Sequence, residues 1–129
     1  LDVEKLKQTI TTAMRMLDNV IEYNYYSVPQ ARNSNLKHRP VGLGIMGFQD
    51  ALYKMRLPYS TEEAVQFADT SMETVSYYTI EASSDLAVER GSYDSYQGSL
   101  WSQGVLPIDS ISILKKREVN TYNKMKVKH

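Results

Sequence analysis

The chain has 129 residues, 42% of them hydrophobic and 23% charged, with 15 Lys/Arg balancing 15 Asp/Glu and no cysteine. That length suits one domain, and no apolar run approaches the roughly 20 residues of a membrane span. The missing cysteines exclude disulfides, thiolate nucleophiles and cysteine-based metal sites, and they fit a reducing compartment.

The first residues, Leu1-Asp2-Val3-Glu4-Lys5, lack the basic-then-apolar layout of a signal peptide. They also lack an initiator Met, as a piece of a longer protein, a processed chain or one freed of a tag would. Leu6, Ile10, Ala13, Leu17 and Val20 follow Val3 at spacings of three and four, with Met14 and Ile21 widening the stripe. This predicts an amphipathic helix over Val3 to Tyr26, with Asp2 as its N-cap. Pro29 and the polar stretch Gln30 to Arg39 are read as its end.

Val41 to Met46 is a short apolar run broken by glycine, expected as one short strand or an extended approach to a turn. Phe48, Ala51, Leu52 and Met55 then sit at helical spacing, so a short helix is expected from Gly47 to Met55, closed by Pro58. Ser60 and Glu63 have the spacing of a capping box. They open a helix of about 30 residues from Thr61 to Arg90, stopped at Gly91. Its apolar positions include Ala64, Phe67, Ala68, Val75, Tyr78, Ala82 and Leu86. Its other face carries Asp69, Glu73, Glu81, Asp85 and Glu89, read as solvated because no histidine in the helix completes a carboxylate metal site.

From Gly91 to Pro107 the chain reads as loop, with Tyr93, Tyr96, Leu100 and Trp101 available to pin it down. Asp109-Ser110 suggests the cap of a last short helix, Ser110 to Arg117. The charge is uneven: nine Lys/Arg against fourteen Asp/Glu as far as Leu114, then six against one from Lys115 to His129. A basic tail of this kind is most simply a solvated end or the start of a segment cut short, although it could meet nucleic acid or an acidic partner.

Little of this carries chemistry. The two histidines, His38 and His129, lack a second ligand at metal spacing. There is no Gly-x-Ser-x-Gly elbow and no P-loop. The adjacent tyrosines Tyr25-Tyr26 and Tyr77-Tyr78 could serve electron transfer, but one ring in the core and one at its rim is the simpler arrangement. Gly42-x-Gly44-x-x-Gly47 matches a dinucleotide-binding fingerprint. Its surroundings do not, because a strand should precede it and an acid-tipped strand should follow. Gly42 and Gly44 are instead read as making room for a neighbouring element, and Gly47 as turning the chain into the next helix.

Three phrases settle the resemblance. "NYYSVPQARNSNLKHRPVGLGIMGFQDALY", "ASSDLAVERGSY" and "GSLWSQGVLPIDS" fall in the order and spacing of the large, catalytic subunit of class I ribonucleotide reductase. The likeness runs nearly continuously over residues 1–114 and fades from Lys115. It implies radical-based reduction of ribonucleotides, usually diphosphates, to 2′-deoxyribonucleotides. It also implies that this chain is an interior segment of a ten-stranded α/β barrel, with Val41 to Met46 a barrel strand.

The family's radical cysteine, with its Asn and Glu, and its redox cysteine pair have no counterpart here. Neither does the loop that holds substrate phosphate, nor the radical-transfer tyrosine pair. No catalytic, cofactor-binding or metal-binding residue is therefore assigned to this chain, and alone it should be inactive. The resemblance implies ATP and dNTP effectors for the parent, and a radical-generating metal centre in the small subunit. Expected partners are the remainder of the large subunit and that small subunit, in the cytoplasm, without membrane or direct nucleic-acid binding. The isolated segment could self-associate. The alternative is a stand-alone helical interaction module derived from the enzyme. The fold class expected of the chain itself is mainly α: two long helices, shorter ones, and one short glycine-rich strand.

Overall fold

In the computed structural model, which describes residues 1–110 and 112, helix α1 runs Val3–Tyr23. Its first turn is closed by the Asp2 carboxylate, which accepts the Lys5 N–H at 3.1 Å and so satisfies one of the four orphan donors of a helix start. The helix stops three residues before the expected Tyr26, because Asn24 turns extended at φ −69°, ψ 144°.

Helix α2 follows at Pro29–His38, where the sequence reading expected only a terminating loop. Proline ends a helix when it falls inside one, but it is favoured at the first helical positions, where its missing N–H costs nothing. No residue of α2 is buried. A helix without an apolar face leaves no periodic signal, which is why it escaped notice. It closes on Arg39, in left-handed backbone at φ 44°.

Residues 39–47 form no regular element, and no strand occurs among the described residues. The short strand expected at Val41 to Met46 is therefore not formed here. A strand exists only by pairing with another, and no described residue pairs with this run. Leu43 alone of its apolar side chains packs against the core, while Val41, Ile45 and Met46 are exposed. Gly47 then enters α3, Phe48–Met55, at φ 80°, the left-handed turn that only glycine adopts without strain.

Helix α4, Glu62–Arg90, is the longest element at 29 residues, about 43 Å. Its N-cap is Thr61, one residue after the Ser60 of the expected capping box. The Thr61 hydroxyl accepts the Ala64 N–H at 3.3 Å and donates back to the Pro58 carbonyl at 2.9 Å. Either hydroxyl can cap, and the exit of the preceding turn decides which one lines up. Gly91 ends the helix as expected.

These helices belong to the first of two units, Leu1–Tyr93. Its core is α1 against α4: Ile10 and Met14 with Val75 and Ala82, flanked by Leu6, Leu17, Leu43, Tyr78 and Leu86. Each large apolar side chain removed from water there contributes about 1.5–3 kcal/mol. Small residues on α4, including Ala64, Ser71 and Ala82, are buried as well. Ser71 satisfies its hydroxyl on the Ala68 carbonyl at 3.1 Å. Phe48 stacks on Phe67, ring centroids 5.7 Å apart, and Leu52 is fully enclosed. Val3 and Val20, counted in the apolar stripe of α1, are exposed instead.

The second unit begins at Asp94. A 3-10 turn at Trp101–Gln103 is held by its own polar groups. Ser102 Oγ accepts the Gly98 N–H at 3.0 Å and donates to the Ser99 carbonyl at 2.8 Å. Of the four side chains expected to pin this loop, Tyr93 and Tyr96 are half-buried, while Leu100 and Trp101 are exposed. Asp109 reaches back to the Leu106 N–H at 2.8 Å, as an acid three residues into a helix does. Most of the helix expected at Ser110 to Arg117 lies outside the described residues, as does His129.

Candidate functional site

The densest group of charged side chains lies at the C-terminal ends of α1 and α4. Along the shared face, Lys7 Nζ meets Glu81 Oε2 at 2.9 Å and lies 5.3 Å above the Tyr78 ring. Two turns on, Arg15 and Glu89 form a two-pronged pair, Nη1 to Oε1 at 2.7 Å and Nη2 to Oε2 at 2.6 Å. Glu81 and Glu89, expected to be solvated, are thus the acidic partners of α1. The hydrogen bond from Arg15, with its charge, holds Glu89 below the usual carboxylate range. The hydrogen bond to Glu81, with its charge, raises Lys7.

At the helix ends the cluster tightens around Asp18, whose side chain is 16% exposed. Its Oδ1 accepts Arg39 Nε at 2.9 Å, and its Oδ2 accepts Arg90 Nη1 at 2.5 Å. Arg39 also donates to Glu22 Oε1 at 2.5 Å and to the Asp18 carbonyl at 3.2 Å. Arg90 also donates to Asn19 Oδ1 at 2.9 Å. Burial pulls the Arg39 guanidinium down, but the hydrogen bonds and charges of Glu22 and Asp18 outweigh it and leave it raised. With Arg15 and Glu89 nearby, three arginines face three acids. The charges are matched and the donors largely satisfied, which is the chemistry of a brace rather than of an acid–base pair or an anion site.

The glycine motif gives the second test. The element before it is α2, where a dinucleotide turn needs a strand. A Cβ added at Gly42 or Gly44 would meet no atom within 4 Å. Among the described residues, no neighbour uses the room they leave. Gly47 is different, because its φ of 80° is itself the requirement.

The other candidates disperse. His38 is exposed at the end of α2. Tyr26 is half-buried with its hydroxyl on the Ile21 carbonyl at 2.8 Å, and Tyr25 points outward. Tyr78 packs at the core, and exposed Tyr77 meets it edge-on at 5.2 Å. Each pair has one ring in and one out, as amphipathic packing requires. Among the described residues, no group of three or more His, Asp or Glu is placed to hold a metal ion. No helix among them is long and apolar enough to cross a membrane. The Asp18 cluster was invisible in the sequence, because its members lie up to 72 positions apart and nothing local marks them as neighbours.

Comparison with known proteins gives one answer. A family model described as "Ribonucleotide reductase, barrel domain" matches residues 1–128. The chain is 58% identical over 114 residues to the ribonucleoside-diphosphate reductase subunit alpha of Chlamydia trachomatis, covering 88% of this chain and 11% of that protein. It is 42% identical over 106 residues to the large chain of the same enzyme from Schizosaccharomyces pombe, covering 82% of this chain and 13% of the relative. It is 37% identical over 113 residues to the large subunit from Arabidopsis thaliana, covering 88% and 14%. The chain thus spans only about a tenth of the length of the relatives it matches.

Proposed function

Because this chain belongs to the ribonucleotide reductase barrel-domain family, we propose that it is a structural segment of a ribonucleoside-diphosphate reductase large subunit. The whole subunit reduces ribonucleotides to 2′-deoxyribonucleotides by radical chemistry. The observation that carries this reading is 58% identity over 88% of the chain with a protein roughly nine times its matched length. The segment supplies no cysteine, so the radical and redox thiols come from flanking sequence. The segment itself builds part of the wall that positions them.

The geometry supports a wall element. Lys7 pairs with Glu81 and Arg15 with Glu89, so α1 and α4 run parallel. Two consecutive long helices can lie parallel only if the chain between them crosses back, as it does when a helix–strand–helix unit is laid on a barrel. Residues 41–46 sit in that return path, with Val41, Ile45 and Met46 exposed, as a strand waiting for neighbours would leave them. In the intact subunit, Val41 to Met46 is one strand of a ten-stranded α/β barrel. Gly42 and Gly44 there admit a neighbouring element that this chain alone lacks.

The partners in this reading are the remainder of the large subunit, the small subunit with its radical-generating metal centre, and ATP or dNTP effectors bound elsewhere in the parent. The location is cytoplasmic. The test is to express the complete reading frame around this segment and measure CDP reduction with the cognate small subunit and a dithiol reductant. Turnover by the complete subunit, and none by residues 1–129 alone, is expected. A complete subunit that binds the small subunit yet forms no deoxynucleotide would sink the reading.

A further inference from the structure

Two chain turns meet at one carboxylate, that of Asp18. Arg39 is the C-cap of α2 and holds left-handed backbone at φ 44°, ψ 49°, a conformation that costs a residue with a side chain free energy. Its backbone N–H bonds to the Asn35 carbonyl at 2.8 Å, which closes α2 without dictating where the chain goes next. Arg90 is the last residue of α4, and Gly91 turns the chain away at φ 87°.

Asp18 gives one oxygen to each: Oδ1 to Arg39 and Oδ2 to Arg90. Glu22, 57% exposed, reaches Arg39 alone. Asp18 is thus the acid of this cluster that bonds to both arginines, and it is less exposed than either of them.

We infer that Asp18 is a positioning residue: by holding Arg39 in its left-handed turn while gripping Arg90, it fixes the point from which the glycine-rich segment 40–47 departs, in register with the end of α4. That this departure launches a barrel strand rests on the proposed function. The hold on the turn does not.

The two are separable by hydrogen-exchange mass spectrometry on the full-length polypeptide that contains this segment, with peptides that distinguish residues 36–39 from 41–47. Asp18→Asn keeps the shape of the side chain and removes its charge. Exchange over 36–39 is expected to accelerate at least about fivefold, while peptides over 8–14 and 73–82 keep their wild-type rates. Asp18→Glu, which retains the charge, should restore slow exchange.

Unchanged exchange over 36–39 in Asp18→Asn overturns the inference. So does equal acceleration in every peptide, which would mark a general loss of stability. If Asp18→Asn does not fold, Arg39→Lys makes the same comparison, because it keeps the charge but loses the Nε contact. It too should accelerate 36–39 selectively, and wild-type rates there would overturn the inference. The strand is judged separately, from protection of 41–47 in the unaltered polypeptide. Fast exchange there would remove the strand and leave the result at the turn standing.

Discussion

Arg15 and Glu89 lie 74 positions apart in the chain and meet through two hydrogen bonds of 2.7 and 2.6 Å. Lys7 and Glu81 have the same separation and also pair. Two pairs with one offset define a parallel helix couple in fixed register, with the apolar contacts of Ile10, Met14, Val75 and Ala82 beside them.

Glu89 is lowered in the folded state from its ordinary value of 4.5. A carboxylate so depressed stabilises the fold above its unfolded value, and the contribution is lost as pH falls through the folded one. The difference in thermal midpoint between wild type and Glu89→Gln, in the full-length polypeptide, should therefore be largest near neutrality and should shrink as pH falls below 4.5 toward the lowered folded-state value, disappearing once pH is below both. It should also shrink in molar salt, because the pair is exposed and screened. A difference that grows on acidification would contradict the pairing.

Leu52 is fully buried, so Leu52→Ala removes packed methyl groups and leaves a void. A loss of about 2–5 kcal/mol is expected, read as a lowered midpoint in urea. Val88 is almost wholly exposed, and Val88→Ala should shift that midpoint by less than about 0.5 kcal/mol. Equal effects at the two positions would mean that the environment of α3 differs from the one described.

The glycines of the motif should separate by role. Gly47→Val places a β-branched residue at φ 80°, with an expected cost of about 1–3 kcal/mol in any context. Gly42→Ala meets nothing within 4 Å inside this segment, so the isolated segment should tolerate it. If a neighbouring element fills that space in the intact subunit, Gly42→Ala should destabilise there alone. Tolerance in both contexts would argue against a close approach at Gly42.

No nucleotide should bind through the motif. Titration of the segment with labelled NAD or a nucleoside diphosphate should show no saturable signal. Tight binding abolished by Gly44→Val would reverse this.

Exposed Val41, Ile45 and Met46 lie on a run with no strand partner among the described residues, which is a template for association. Sedimentation of residues 1–129 should show mass rising with concentration. A monodisperse monomer at high concentration is the contrary result.

Much of the local structure was legible in the order of residues. Asp2 and Gly91 bounded their helices as capping chemistry requires. The spacing of Ile10, Met14, Val75 and Ala82 marked faces that do pack together. Helix α2 was not legible, because a polar helix begun by proline has no apolar period to read. The capping hydroxyl of α4 was misplaced by one residue, because Ser60 and Thr61 offer the same group and only the turn geometry selects between them.

The sequence by itself determined which stretches become helices, where most of them stop, and which family the chain resembles, because capping, periodicity and ordered motifs are properties of near neighbours along the chain. The tertiary structure decided that α1 and α4 run parallel, that the solvent-facing acids Glu81 and Glu89 pair with Lys7 and Arg15, and that Asp18 gathers Arg39 and Arg90. Those relationships join residues some 20 to 74 positions apart, and only packing of the apolar faces brings their charges within reach. The run from Val41 to Met46 lies at the limit of both, since a strand needs a partner that neither the order of these residues nor the fold of the described residues supplies.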